Sequence, residues 1–249
     1  IMGLAYMALR WEGIKEDQRA PAPSGAVVAD TSAANRALLI RVSAIVFLTT
    51  AVTSVIFQST TFALPKIFDE RLTGLAAQLS GWIESVAQPG QSDVATMVGI
   101  MAFTVFAVAS MAQLVVGKML DRHGPRKVFM TVATIQIIFF FVMPGLTNGL
   151  AFAVALGFML GAFGQIPIND FMIGKMASGA HRARIYGVRY VVSFTALATS
   201  LPLIAFVYDT WGFDTLFYIL SATALVVLTA AMCLPKTLPT PAAAPAAAA

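Results

Sequence analysis

Long runs without charged residues alternate with short charged clusters along most of this chain. Two runs of about 24 residues, 42–65 and 94–117, are each long enough for one membrane-spanning helix, which needs about 20 residues. A third run, 128–169, has nearly twice that length and contains a turn signal at Pro144-Gly145, so it predicts two spans. Two further runs of about 20 residues follow. The runs are uniformly apolar rather than alternating, which favours helices over the strands of a barrel. We therefore predict an all-α membrane protein with six transmembrane helices, at about residues 39–65, 94–117, 127–146, 150–172, 187–208 and 214–234.

The amino-acid composition supports this pattern and excludes several classes of protein. Hydrophobic residues make up 58% of the 249 residues and charged residues 11%, whereas soluble domains contain about 45–50% and about 25%. These values exclude a soluble enzyme, a disulfide-rich secreted protein and a disordered chain. The net charge is +4, but the basic residues lie between apolar runs, as in cytoplasmic loops, so no nucleic-acid partner is expected.

The distribution of basic residues predicts the orientation of the spans. If the region before the first span is cytoplasmic, all 16 Lys and Arg residues except Lys66 and Arg71 fall on the cytoplasmic side. We therefore expect both ends of the chain inside, and we predict an integral protein of a bacterial cytoplasmic (inner) membrane.

Three segments flank the predicted six-helix domain, which covers residues 39–234. Residues 1–9 are apolar but too short to span, and we interpret them as the end of a truncated transmembrane helix. Residues 10–38 are polar and predict a cytoplasmic linker. Residues 235–249 are rich in Pro and Ala, which predicts a disordered tail.

The outer loop at residues 66–92 carries apolar residues at helical spacing. One interpretation is an amphipathic helix in the outer membrane interface, with Trp82 at the level of the headgroups. The other is a helical extension of the first span that packs on protein. The sequence leaves both open.

The loop between the second and third predicted spans, residues 117–127, has a distinctive pattern. Its signature positions are Gly117, Asp121, Arg122, Gly124, Arg126 and Lys127. Gly117 would permit a close helix contact, Gly124 would permit a tight turn, and the basic residues would anchor the loop inside. Asp121 is the one acid among bases, so we expect a positive partner for it, such as a helix amino terminus.

This pattern, G-x-x-x-D-R-x-G-x-R-K, resembles the loop signature of the major facilitator superfamily. The resemblance implies a twelve-helix fold in two halves, of which this chain would be the carboxyl-terminal six-helix half. It implies three partners: the missing amino-terminal half of the same polypeptide, the lipid bilayer and a small-molecule substrate. It also implies a secondary transporter that works by alternating access, in which Gly117, Asp121 and Arg122 belong to a conformational latch.

A second pattern predicts internal symmetry. The spacing D-x-x-G-x-x-x-x-F begins at Asp121, after the second span, and again at Asp209, after the fifth. Inverted repeats of three helices produce such an echo, with one copy inside and one outside. We therefore predict a 3+3 inverted repeat.

Polar residues within the spans mark a candidate substrate path. On the fourth span Gly157, Gly161, Gln165 and Asn169 recur every four residues and share one face. Gln58 is the best candidate on the first span. The two amides of the fourth span could line a cavity, and they could equally well be packing contacts between helices.

Two charges near the cytoplasmic ends of the fourth and fifth spans, Asp170 and Arg189, form a candidate inner gate pair. No carboxylate lies near a span midplane, so a proton-carrying acid would be Asp170 or a residue of the missing half.

No catalytic residue, metal site or cofactor is expected, and coupling to a proton or another ion stays open. A six-span channel or a non-transporting membrane scaffold is the alternative function.

Overall fold

The computed structural model describes residues 33–86, 94–176 and 182–235 as a bundle of α-helices. The predicted helix end at 1–9 lies outside these residues, as do most of the predicted linker and tail. In chain order the helices are α1 (Ala33–Arg71), α2 (Thr73–Val86), α3 (Val94–His123), α4 (Pro125–Val142), α5 (Asn148–Met176) and α6 (Arg182–Met232).

Five of these helices are long and apolar enough to cross a membrane, and the last of them is too long for one crossing. The apolar part of α6, Ala183–Met232, has 50 residues. At 1.5 Å per residue it would extend about 75 Å, against a hydrocarbon core of about 30 Å. The helix is interrupted at Gly212, whose backbone has φ 76° and ψ −179°. We call residues 182–211 and 213–232 the first and second arms of α6.

Contacts to neighbouring helices show that the two arms run in opposite directions. The first arm is parallel to α1, because Ser193 contacts Ser54 and Tyr208 contacts Glu70. The second arm is antiparallel to α4, because Arg126, at the start of α4, contacts Met232 at the end of the arm. Near the other end of α4, the ring of Phe140 contacts that of Phe217.

Helix α5 completes this assignment, because it runs antiparallel to both α1 and α4. The contacts pair Phe57 with Phe163 and Phe68 with Phe152 on α1, and Gln136 with Gln165 and Phe140 with Phe158 on α4. Helices α1 and α4 are therefore parallel, and the second arm of α6 returns antiparallel to the first. The long helices of the described chain therefore make six passes along the bundle, although only five helices have the length and apolarity to cross a membrane.

The helix bounds differ from the predicted spans at both ends of the first span. Residues 33–38, predicted as linker, already belong to α1, and α1 continues to Arg71, beyond the predicted end at 65. Charged residues end an apolar run without ending a helix, because Lys, Glu and Arg are good helix formers.

Helix α2 is the segment for which two interpretations were open. It is helical but separate from α1, and it packs on α3. Its Ala76 is fully buried, as is Leu72 at the bend between α1 and α2. The Asn148 side chain accepts a hydrogen bond from the Leu75 backbone N–H at 3.1 Å. Trp82 remains 67% exposed on the other face, so packing on protein and an apolar outer face occur together.

The surface of the bundle carries many large apolar side chains, as its interior does. Phe129, Phe140 and Phe158 are completely buried, whereas Phe103 and Leu150 are among many large apolar side chains that are mostly exposed. Soluble proteins rarely expose apolar surface on this scale. The bundle has the surface of a protein that is surrounded by lipid.

Candidate functional site

A cavity of about 140 Å³ lies between α1, α5 and the first arm of α6. Eight of its eleven lining residues are polar, and the lining consists of Thr50, Thr53, Ser54, Phe57, Gln58, Ala162, Gln165, Ile166, Asn169, Arg189 and Ser193. The three predicted path residues, Gln58, Gln165 and Asn169, therefore share one cavity with Arg189 of the predicted gate pair. They come from three helices that are far apart in the sequence.

Asn169 is held by a defined hydrogen bond to α1. Its Nδ2 donates to Oγ1 of Thr53 at 2.9 Å, while the Thr53 hydroxyl donates its only proton to the carbonyl of Thr50 at 3.2 Å. With the nitrogen of the Asn169 amide toward Thr53, both of these hydrogen bonds are made, which favours this amide orientation. Asn169 Oδ1 is left buried without a hydrogen-bond partner in the described residues.

Gln165 pairs with a residue that the sequence did not single out as a strong candidate. Its Nε2 donates to Oε1 of Gln136, a fully buried residue of α4. The contact depends on Gly161, because a Cβ at that position would lie 2.5 Å from Cγ of Gln136. Gln136 is the only amide of α4 and has no polar stripe around it, so only the glycine one turn before Gln165 hinted at its position.

The glycine stripe on α5 allows close packing. A Cβ on Gly157 would lie 2.5 Å from the ring of Phe139, in the same way that Gly161 admits Gln136. The stripe of four residues is thus divided: the two glycines face α4, and Asn169 reaches α1. Both interpretations of the amides describe part of this arrangement, since each amide makes an interhelical bond and also lines the cavity.

Asp170 and Arg189 form an ion pair that joins α5 to the first arm of α6. The Arg189 side chain is only 17% exposed and also lines the cavity. One helical turn farther along, Ser193 contacts Ser54 with 3.2 Å between the hydroxyl oxygens. The pair lies toward the end of the cavity that corresponds to the cytoplasmic side in the predicted orientation.

The signature loop lies at the same end of the bundle. Gly124 has φ 77° and ψ 162°, and Pro125 follows as the first residue of α4. Arg126 donates to the carbonyl of Met232 at 2.9 Å. Asp121 and Arg122 are exposed, and no hydrogen bond or ion pair joins either of them to another part of the described chain. Their role in a latch stays a prediction, as do the roles of Gly124, Arg126 and Lys127.

The close helix contact expected at Gly117 is absent among the described residues. A Cβ there would meet nothing within 4 Å. The tight contacts lie instead at Gly157 and Gly161, because α5 is the helix that packs between α1 and α4.

A second polar cluster, at the opposite end of the bundle, was not foreseen. Arg71 forms an ion pair with Asp214 and also donates to the carbonyls of Met143, at 3.4 Å, and Leu146, at 3.2 Å. Asp214 Oδ1 in turn accepts from the Gly145 N–H at 3.1 Å. This outer clasp joins α1, the turn after α4 and the start of the second arm. Arg71 had one visible signal, since it is one of the two basic residues outside the predicted cytoplasmic regions.

The described residues contain no group of three or more His, Cys, Asp and Glu side chains placed to hold a metal ion. The cavity instead offers hydroxyls, amides and one ion-paired guanidinium. Such a lining suits a solute that forms hydrogen bonds.

A polar cavity between long apolar helices defines the class of an integral membrane transport protein. The family model of the Major Facilitator Superfamily matches residues 46–249, and the chain belongs to this family. It is therefore a transporter of the major facilitator type. A search of the curated proteins found no match to this chain.

Proposed function

We propose that the chain forms the carboxyl-terminal half of a secondary transporter that moves a small solute by alternating access. The observation that carries this proposal is the cavity in which Gln58, Gln165 and Asn169 meet next to the Asp170–Arg189 ion pair. In the predicted orientation, a solute in this cavity is separated from the cytoplasm by that pair. The opposite wall of the pathway would come from an amino-terminal six-helix half of the same polypeptide.

The proposed six-helix half consists of two inverted three-helix repeats. The second arm of α6 begins as α4 does, after a glycine with nearly the same backbone conformation. Phe129 and Phe217, at equivalent positions of the repeated pattern, are both completely buried. A half built in this way has its polar contacts at related positions on the two membrane sides, which alternating access requires.

The proposed gate is the ion pair itself. Separating Asp170 from Arg189 would open the cytoplasmic end of the cavity, and forming the pair would close it. Each charge is neutralised by the other, so the pair favours the closed state until another charge or water replaces the contact. We place the protein in a bacterial inner membrane with both ends cytoplasmic, since the basic residues are concentrated on that side.

Access to the cavity from the two sides of the membrane tests this proposal without knowledge of the substrate. Ser193→Cys in a Cys233→Ser background of the full polypeptide, freed of other cysteines, would be labelled with an impermeant maleimide in right-side-out and inverted vesicles. Native Cys233, which is exposed at the end of α6, is the matched control and should react only in inverted vesicles. Alternating access predicts labelling of Cys at position 193 from each side.

The gate adds a second arm to the same experiment. Asp170→Asn should increase labelling from the cytoplasmic side and decrease it from the outside, because one population grows at the expense of the other. The exchanged pair, Asp170→Arg with Arg189→Asp, should restore the native ratio if it restores the contact. A channel would give parallel changes on both sides, and that result would overturn the proposal, as would a failure of the exchanged pair at normal expression.

A further inference from the structure

The cavity lining contains hydrogen-bond acceptors that have no donor among the described residues. The Thr50 hydroxyl donates to the carbonyl of Val46 at 2.8 Å, and that of Thr53 donates to the carbonyl of Thr50. A hydroxyl has one proton, so each of these side chains has only lone pairs left. The α1 wall of the cavity therefore presents acceptors at these two positions.

The α5 wall presents a further acceptor. Asn169 is 5% exposed, and its Oδ1 has no hydrogen-bond partner among the described residues. This orientation of the Asn169 amide keeps both hydrogen bonds at Thr53, as argued above. The pair of Gln165 and Gln136 is balanced, since Gln165 Oε1 and Gln136 Nε2 both lack a partner among the described residues. An unpaired buried acceptor is unfavourable, and a ligand that supplies an N–H or O–H removes the penalty.

The charge of the cavity is already balanced. Arg189 is the one ionisable residue among the described side chains that line it, and its guanidinium is in contact with the carboxylate of Asp170. An anionic solute would have to replace that carboxylate, and a cationic solute would meet no unpaired negative charge. The lining therefore favours a solute without net charge.

We infer that this cavity binds a small, uncharged solute rich in hydrogen-bond donors, of the polyol or sugar class, which donates to Asn169. This inference rests on the proposed function, since it concerns the same cavity. It disfavours lipophilic compounds, which would leave the Asn169 oxygen unpaired. It also excludes organic anions and amines as the preferred class.

Binding to the purified full polypeptide in detergent micelles tests the inference with matched probes. Erythritol, xylitol and sorbitol would be compared with the α,ω-diols of the same chain lengths, and succinate and putrescine would represent four-carbon solutes of opposite charge. At least one polyol should bind about tenfold or more tightly than its diol, because a buried acceptor left without a donor weakens binding by about that factor.

Asn169→Leu should reduce the preference for that polyol over its diol about tenfold. Asn169→Gln keeps both the amide oxygen and the amide N–H without adding charge and should retain part of the preference, which separates loss of the contact from loss of folding. Gln113→Leu, an amide replacement on α3 outside the cavity lining, should leave the preference unchanged.

Three results would overturn the inference: diols that bind as tightly as polyols, stronger binding of succinate or putrescine, or no saturable binding of any polyol. None of these results would alter the labelling of Cys at position 193. If labelling still alternates, the proposed transport mechanism stands and only the solute class is wrong. If labelling does not alternate while polyols bind, the mechanism fails and the binding site remains.

Discussion

Two turns at opposite ends of the bundle have the same backbone and opposite charge. The inner turn, residues 121–129, leads from α3 into α4, and the outer turn, residues 209–217, joins the two arms of α6. Gly124 has φ 77° and ψ 162°, and Gly212 has φ 76° and ψ −179°. At the sixth position of the two turns, however, the inner turn has Arg126 and the outer turn has Asp214.

The sign of that side chain selects its partner. Arg126 donates to the carbonyl of Met232 at the end of the second arm, where the helix carries a partial negative charge. Asp214 accepts from the backbone N–H of Gly145, just after the end of α4, and pairs with Arg71. The start of α4 thus contacts the end of the second arm, and the start of the second arm contacts the turn just after the end of α4. The two turns therefore share their glycine and phenylalanine positions, whereas the charge at the sixth position differs between the two ends of the bundle.

The largest expected effect concerns the phenylalanine that ends each turn. Phe129→Ala and Phe217→Ala should each lower the free energy of unfolding by about 3 kcal/mol, because both rings are completely buried and leave a cavity. The value is at the low end of the usual range, since lipid is as apolar as the core. Denaturant titration in micelles measures it. Phe103→Ala, at a ring 71% exposed on α3, should change stability by less than about 0.5 kcal/mol. A large cost at only one turn would break the equivalence.

The two glycines should give the next largest effect. Gly124→Ala and Gly212→Ala should each destabilise by about 2 kcal/mol, because a side chain is strained in this backbone region even where space is free. The loss would appear as a lower unfolding midpoint. Gly99→Ala is the control, since it lies in a helix with open space around it and should be neutral or stabilising. Tolerance of alanine at Gly212 would show that the outer turn does not need its observed conformation.

The outer charge should matter more than the inner one. Asp214→Asn should cost about 1.5 kcal/mol, because Arg71, with 13% of its side chain exposed, loses its charged partner. A double-mutant cycle with Arg71→Met measures the coupling between the two side chains. Asp209→Asn, at an exposed position of the same turn, is the matched control and should have little effect. Additive effects of the two substitutions at Arg71 and Asp214 would contradict the clasp.

The smallest effect is expected at the inner turn. Arg126→Gln should cost about 0.5–1 kcal/mol, because its single bond to a carbonyl is exposed to solvent. Lys127→Gln, an adjacent exposed base, should cost less in the same titration. If Arg126→Gln proved more costly than Asp214→Asn, the order of the two sides would be reversed and the outer clasp would not be the stronger one.

Much of the helical framework could be predicted because lipid imposes a length and a polarity on each helix. The uninterrupted run 128–169 required a turn, and the turn lies at residues 143–147. The end of α1 at Arg71 could not be predicted in this way, since charge marks the edge of the apolar layer and not the end of a helix. The turn at Gly212 was foreshadowed by the repeated pattern, although Asp214 and Arg71 gave no sign of being partners.

Some residues of the candidate site could also be predicted from the sequence, and others could not. Asn169 and Gln165 were identifiable because polar side chains within apolar helices are rare and therefore informative. Gln136 could not be identified in this way, because a single amide on a mostly apolar helix forms no pattern. Its contact with Gln165 is visible only in the structure, where Gly161 lets the two side chains approach each other. Thr53 was one of several threonines, and its role is visible only through the bond from Asn169.

The sequence by itself predicted a helical membrane protein with apolar segments of spanning length, and a signature loop resembling that of the Major Facilitator Superfamily, whose family model matches residues 46–249. These properties depend on apolar length and on local spacing, both of which are written along the chain. The tertiary structure decided which polar groups meet: the cavity of α1, α5 and the first arm of α6, the Asp170–Arg189 pair, and the outer clasp. These contacts depend on how each helix is rotated and at what angle it crosses its neighbours. Close contacts at glycines set that geometry, and the spacing of residues along one helix does not reveal it.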